Sequence, residues 1–250
     1  MAVQVFFIGA GPGDPELLTI RAKNIIDRAD VIIYADSLVN PEVCSFAQER
    51  AEIYKSASLA LEEITGIIVN AVKQGKVVAR LQSGDPSLYG AIQEQMAALD
   101  EKGIAYEIIP GVSSLLAAAA SLKTELTVPE LSQTVIITRL EGRTPVPASE
   151  NLRSLAQHQA SMAIFLSASV IEKVVAELLA GGYHPDTPAA VVYRATWKDE
   201  LVLRTTLSNL VERVKASGIT KQALILVGAF LGSKEKRRRS KLYSRGFKSE

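Results

Sequence analysis

The chain has 250 residues, 48% of them hydrophobic and 22% charged, enough to bury a sizeable core and too apolar to stay disordered. A net charge of +1 argues against an obligate nucleic-acid binder. One cysteine, Cys44, excludes an intrachain disulfide and points to a reducing compartment. With only two histidines, His158 and His184, it cannot furnish a Cys/His zinc site of the usual spacing.

In chain order, Val3 to Ile8 is a β-type apolar run. The Gly9–Pro15 turn follows, and then Leu17, Leu18, Ala22, Ile25 and Ile26 recur at helical spacing, with Asp14 and Pro15 placed as N-cap and first helical residue. Strands are expected at Val31–Tyr34, Val77–Leu81 and Tyr106–Ile109, and helices at Leu59–Lys73, Leu88–Leu99 and Ser114–Leu122. Repeated β-α units imply a largely parallel sheet covered by helices. A polar stretch with Pro129 marks a boundary near Lys123–Gln133. Beyond it, strands are expected at Val135–Thr138, Ala163–Leu166, Ala190–Tyr193, Leu201–Thr205 and Leu224–Val227. Helices are expected near Glu150–Gln157, Ile171–Leu179 and Leu207–Lys215. The short Ala195–Asp199 connection suits a hairpin, so this part is α/β with some antiparallel pairing.

The expected fold is therefore two α/β domains, 1–125 with a mostly parallel sheet and 126–232 with a mixed sheet, followed by a tail, 233–250. From Lys234 on the tail carries a net +6 against −5 for the rest of the chain, and is expected to be a solvated terminus. The first basic side chain is Arg21, so no signal-peptide n-region is expected. No uncharged apolar run approaches the roughly 20 residues of a membrane span. A cytoplasmic protein with no membrane partner is expected.

Three β-α turns carry small residues: Gly9-x-Gly11-x-Gly13, Ser83-Gly84-Asp85-Pro86, and Pro110-Gly111-Val112-Ser113-Ser114. They should line the carboxyl edge of one parallel sheet, where open α/β sheets bind ligands. A dinucleotide fingerprint wants glycine where Asp14 stands, and the Walker Gly-Lys-Ser/Thr is absent. Asp14 and Asp85 suit that edge to a cationic or neutral ligand rather than a phosphate.

These turns resemble those of the tetrapyrrole methyltransferases. The stretches Tyr34–Val39, Gly84–Ile92, Thr138–Pro147 and Val192–Trp197 are similar to the branch of that family that methylates C-11 of precorrin-4 or cobalt-precorrin-4. The likeness runs over about residues 3–230. It implies S-adenosylmethionine as cofactor, S-adenosylhomocysteine as product, a tetrapyrrole substrate, a cleft between the domains for the cofactor, and a homodimer. It implies cofactor contacts at Pro12, Ser83, Gly84, Asp85, Leu88, Ser113, Ser114, Leu166 and Ala195. The substrate class bears many carboxylates, which guanidinium forks match. Arg139, Arg143 and Arg194 are the expected binders, with salt bridging as their other reading. Glu141 is a holder of Arg143 or an exposed loop residue. Tyr89 and Trp197 are macrocycle walls or core. Asp36 is a proton acceptor, a pyrrole-nitrogen partner or a turn cap. No metal ligand is expected, since transfer from a sulfonium needs none. Other readings are a methylase acting on another precorrin, uroporphyrinogen, ribosomal RNA or a protein histidine; a nicotinamide oxidoreductase; and a non-catalytic tetrapyrrole-binding protein. The turn at Asp14 disfavours the oxidoreductase, and the presence of all three cofactor turns disfavours the carrier.

Overall fold

The computed structural model describes residues 3–142 and 144–232; Arg143 and the basic tail lie outside the described residues. By contacts the chain forms two compact units. The first runs to Ala117 and includes Thr196–Lys198; the second takes the described remainder, so the division passes through a helix.

The first unit holds β1 (Val5–Gly9), β2 (Val31–Tyr34), β3 (Glu52–Lys55), β4 (Val78–Gln82) and β5 (Tyr106–Ile109). Their order is β3-β2-β4-β1-β5 and every pairing is parallel. Both faces are buried, which is why the central strands read as unbroken apolar runs. Phe6, Ile8, Ile32 and Leu81 pack with Ala22, Ile25 and Ile26 of α1 (Ile20–Ile26). On the other face, Val5, Phe7, Ile33 and Val78 pack with Ile64 and Ile68 of α2 (Leu61–Lys73) and Leu99 of α3 (Gln93–Asp100). The crossover after β1 therefore leaves toward one face and that after β4 toward the other. Between these neighbouring strands lies the switch point of the sheet, the place where open α/β sheets bind ligands.

α4 (Ser114–Ser121) leads into the second sheet, formed by β6 (Val135–Arg139), β7 (Ser161–Phe165), β8 (Pro188–Tyr193), β9 (Leu201–Thr206) and β10 (Ala223–Val227). Its order is β6-β7-β10-β8-β9, parallel only between β6 and β7, with β8 and β9 as the antiparallel pair expected from their short connection. Met162, Ile164, Val191, Ile225 and Val227 form one core with α5 (Leu152–Ala156), α6 (Ile171–Ala180) and α7 (Leu207–Ser217). The fold is thus α/β with one parallel and one mixed sheet.

Two helices begin later than the apolar spacing predicts. Asp14 does cap a turn, but a 3-10 turn of Pro15–Leu17. Leu18 is extended (ψ 140°), and Thr19 Oγ1 accepts from Ala22 N–H at 3.1 Å to start α1 afresh. α3 starts at Gln93 rather than Leu88, because Tyr89 (φ 56°) and Ala91 (φ 50°) are left-handed and interrupt the helical path. β3 escaped the sequence reading altogether. It is an edge strand with exposed Glu52 and Lys55, so it lacks the apolar run that marks the interior strands.

Candidate functional site

The carboxyl edge of the first sheet is stitched shut by backbone. Gly11 N–H donates to Gly84 C=O at 3.2 Å and Gly84 N–H to Gly11 C=O at 2.8 Å, a bridge across the switch point between the turns after β1 and β4. Both residues have positive φ, 74° and 66°, which L side chains rarely adopt. The third turn closes on the same spot. A Cβ at Gly9 would fall 2.5 Å from Gly111 Cα and 2.8 Å from Gly84 O, so main chain rests directly on main chain. Because each bridging N–H donates to the other glycine's C=O, neither is presented to a pyrophosphate. This is a structural reason, beyond Asp14, against a dinucleotide site.

Asp85 fastens the second turn to the third. Its Oδ2 accepts from Gly111 N–H at 2.9 Å, and its Oδ1 accepts from Ser87 N–H at 2.9 Å and from the Ser87 hydroxyl. Burial pushes this carboxyl up, but the Ser87 hydroxyl and the Gly111 and Ser87 N–H groups outweigh it and hold it below the usual range. Ser113 is buried, its Oγ accepting from Leu115 N–H at 3.2 Å, and Ser114 opens α4. Ser83 and Leu88 are half-buried, and Tyr89 is exposed.

The first turn is held from three sides. Pro12 is buried, and its C=O accepts from Trp197 Nε1–H at 2.9 Å. Gly13 C=O accepts from Asn40 Nδ2–H at 2.9 Å. Asp14 N–H donates to Thr196 Oγ1 at 2.9 Å. Trp197 also covers Gly13: a Cβ there would lie 2.5 Å from Nε1 and 2.9 Å from Cγ. Asp36 follows β2 on the same edge. It is exposed, and its Oδ1 accepts from Ala57 N–H at 3.3 Å.

The sheet of the second unit gathers the remaining predicted residues on one edge. Arg139 ends β6, Leu166 follows β7, and Arg194 and Ala195 follow β8, which runs in the same direction. Leu166 is 68% exposed at φ 53°, whereas Ala195 is buried. Arg139 donates to Thr144 and Pro145 C=O at 3.1 and 2.9 Å, so its partners here are neutral loop carbonyls. Arg194 is paired with Asp199 and lies 5.9 Å from the Tyr193 ring centroid. Glu141 pairs with Lys173 at 2.7 Å, and that bond lowers its carboxyl; Arg143 lies outside the described residues. His158 and His184 are exposed, and among the described residues no cluster of three or more His, Cys, Asp or Glu side chains could hold a metal.

The family model for Tetrapyrrole (Corrin/Porphyrin) Methylases matches residues 4–211. The chain belongs to this family. It is 59% identical over 247 residues to the cobalt-precorrin-4 C(11)-methyltransferase of Methanocaldococcus jannaschii, covering 99% of this chain and 95% of that one. It is 46% identical to the precorrin-4 C(11)-methyltransferase of Pseudomonas aeruginosa, covering 92% and 91%. The X-ray structure of a cobalt precorrin-4 methyltransferase superposes with a TM-score of 0.89 at 47% identity, covering 92% and 96%. A Thermus thermophilus uroporphyrin-III C-methyl transferase, solved with S-adenyl homocysteine, superposes at 0.76 with 28% identity, covering 91% and 98%.

The cofactor that this methylase family implies fits the residues present. Along the first unit's edge the predicted contacts are one ionised carboxylate, hydroxyls and apolar groups, with no Lys or Arg, a set suited to a sulfonium and a neutral nucleoside. A Cβ on Gly84 would sit 3.5 Å from Ser113 Cα and Ser114 N, filling the gap between the second and third turns. The sequence reading missed Asn40 and Thr196 as holders of the first turn. Asn40-Pro41 carries a capping signal, whereas nothing marks Thr196.

Asp85 yields a test. A carboxyl lowered in the folded state contributes stability that is present in full above its unfolded pKa, about 3.9, and lost as pH falls through the folded value. Asp85→Asn is expected to cost about 1–2 kcal/mol at pH 7, since an amide cannot accept all three bonds. The gap should narrow as pH falls below that unfolded value and through the lowered folded one. Urea unfolding at a series of pH values measures it, and a gap that persists undiminished at low pH would assign the loss to something other than the charge.

Proposed function

We propose that the protein transfers a methyl group from S-adenosylmethionine to C-11 of precorrin-4 or cobalt-precorrin-4, in cobalamin synthesis. The observation that carries this reading is identity of 59% across 99% of the chain to a cobalt-precorrin-4 C(11)-methyltransferase. Bound S-adenosylmethionine supplies an electrophilic methyl on a sulfonium, and a reduced tetrapyrrole supplies electron-rich carbon. The protein's part is chiefly alignment, which contributes about 7–11 kcal/mol in favourable cases.

In this reading Pro12, Ser83, Gly84, Asp85, Leu88, Ser113 and Ser114 of the first unit hold the cofactor, together with Leu166 and Ala195 of the second. The Asp85 carboxylate, fixed by Gly111 and Ser87, places negative charge on the edge that receives a cation. Arg139, Arg143 and Arg194 bind the acetate and propionate groups of the macrocycle, and Tyr89 walls it. Asp36, exposed at the end of β2, accepts a proton released from the ring. Trp197 is supported as a brace of the cofactor turn by its bond to Pro12. The resemblance further supports a homodimer as the working form.

Incubation with S-adenosylmethionine and either precorrin-4 or its cobalt complex tests the proposal. The expected product carries one added methyl by mass spectrometry, located at C-11 by NMR, and the better substrate shows which form is used. Methylation at another carbon, or of uroporphyrinogen instead, would overturn it.

A further inference from the structure

We infer that Arg80 and Gln95 are positioning residues that hold the loop between β4 and α3 in its strained, ligand-ready shape. Neither is among the residues proposed to contact a ligand, and their hydrogen bonds run to each other, Ser56, Ile33 and Ala91. Arg80 is 5% exposed within β4, and burial lowers its guanidinium to about 10. It donates through Nε to Gln95 Oε1 at 2.9 Å, and through Nη1 to Ser56 Oγ at 3.0 Å and Ile33 C=O at 3.3 Å. Gln95, 6% exposed in the first turn of α3, donates from Nε2 to Ala91 C=O at 3.0 Å.

The chemistry of the two partners fixes the amide's orientation. A guanidinium only donates and a carbonyl only accepts, so Gln95 must turn Oε1 to Arg80 and Nε2 to Ala91. Glutamine is the residue that can serve both. A glutamate there would still accept from Arg80 but would face Ala91 C=O with a second acceptor.

The loop needs such a restraint. Residues 83–92 hold two non-glycine residues in the left-handed region, Tyr89 and Ala91. Between them Gly90 lies against Pro86, where a Cβ would clash with the Pro86 main chain. Strained backbone of this kind persists only when its surroundings over-determine it. Asp85 pins the start of the loop to Gly111, and the Arg80–Gln95 pair pins its end through Ala91. Arg80 is itself fixed by β2 and by Ser56 after β3, so the far end of the loop is referred to the rigid sheet. A buried arginine with neutral partners at this place has a use that packing alone does not give it.

The consequence for ligand binding rests on the reading that Asp85 and Leu88 of this loop hold the cofactor. Gln95→Glu keeps the partner of Arg80 and removes the donor to Ala91. Hydrogen exchange of amides 87–92 is expected to quicken about tenfold, while that in β4 and the rest of α3 stays unchanged. S-adenosylhomocysteine should bind about tenfold more weakly, and KM for S-adenosylmethionine should rise to match with kcat held within about twofold. Gln95→Met, which withdraws both bonds, should give the same loop exchange with a lower melting temperature, and serves if the glutamate variant does not fold. Exchange and affinity equal to the parent protein in a folded variant would overturn the inference. So would quickening spread evenly over β4 and α3, which would make the pair a plain core contact. Local quickening in a protein whose parent form binds no S-adenosylhomocysteine would uphold the loop restraint and overturn the cofactor reading instead.

Discussion

Gly111→Ala is expected to destabilise the first unit by about 3 kcal/mol, lowering its melting transition on the order of 10 °C, and to weaken S-adenosylhomocysteine binding at least tenfold. The added methyl would clash with Gly84 O and lie 2.6 Å from Gly9 Cα and 2.8 Å from Gly9 C. These are all main-chain atoms of neighbouring turns, so no side chain can swing aside, and the turns after β1, β4 and β5 must separate. Gly111 does not have a positive φ, so the effect is one of space alone. Gly84 offers the contrast. Its own methyl would meet Ser113 Cα at an ordinary 3.5 Å, and the cost there is the left-handed backbone, about 1 kcal/mol. Gly84→Ala should therefore fold nearly as well as the parent protein yet lose affinity, because the methyl fills the gap the cofactor is proposed to use. Calorimetric melting and titration of both variants separate the two effects. Equal melting temperatures for Gly111→Ala and the parent would show that the turns can part without cost.

Much of the first unit was legible because its interior strands announce themselves. Val5 to Ile8 and Val31 to Tyr34 are buried on both sides, so periodicity and burial say the same thing. The three small-residue turns were also legible, since glycine after a strand signals close backbone approach. Their physical purpose was not. The spacing of Gly9, Gly11 and Gly13 suggests room for a ligand, whereas Gly9 makes room for Gly111, Gly11 bonds Gly84, and Gly13 makes room for Trp197. Contacts spanning 182 and 185 residues, from Asp14 to Thr196 and from Pro12 to Trp197, leave no periodic trace in a single sequence. The helix starts at Ile20 and Gln93 were misplaced for a local reason. Apolar spacing continues through residues whose backbone is extended or left-handed, and hydrophobicity carries no record of φ.

Trp197 provides the second large expected effect, and a way to see that long-range contact in solution. Trp197→Ala removes both the donor to Pro12 C=O and the ring that covers Gly13. For a half-buried tryptophan the loss is about 3 kcal/mol, at the low end for such truncations. The first turn should loosen, and S-adenosylhomocysteine affinity should fall by about thirtyfold or more. Trp197→Phe keeps a ring over Gly13 and removes only the N–H, so its cost should be about 1 kcal/mol. Gly13→Ala, in turn, places a methyl into the indole of the parent protein and should be severely destabilising alone. Combined with Trp197→Ala, the same methyl enters space the indole has vacated. The double variant should then be more stable than the sum of the two single losses predicts, by about 1–3 kcal/mol, as contacting residues show in double-mutant cycles. Denaturant unfolding of the four proteins closes the cycle. Strict additivity would mean that Trp197 does not rest on Gly13, and that the turn carrying Pro12 is shaped by its own glycines alone.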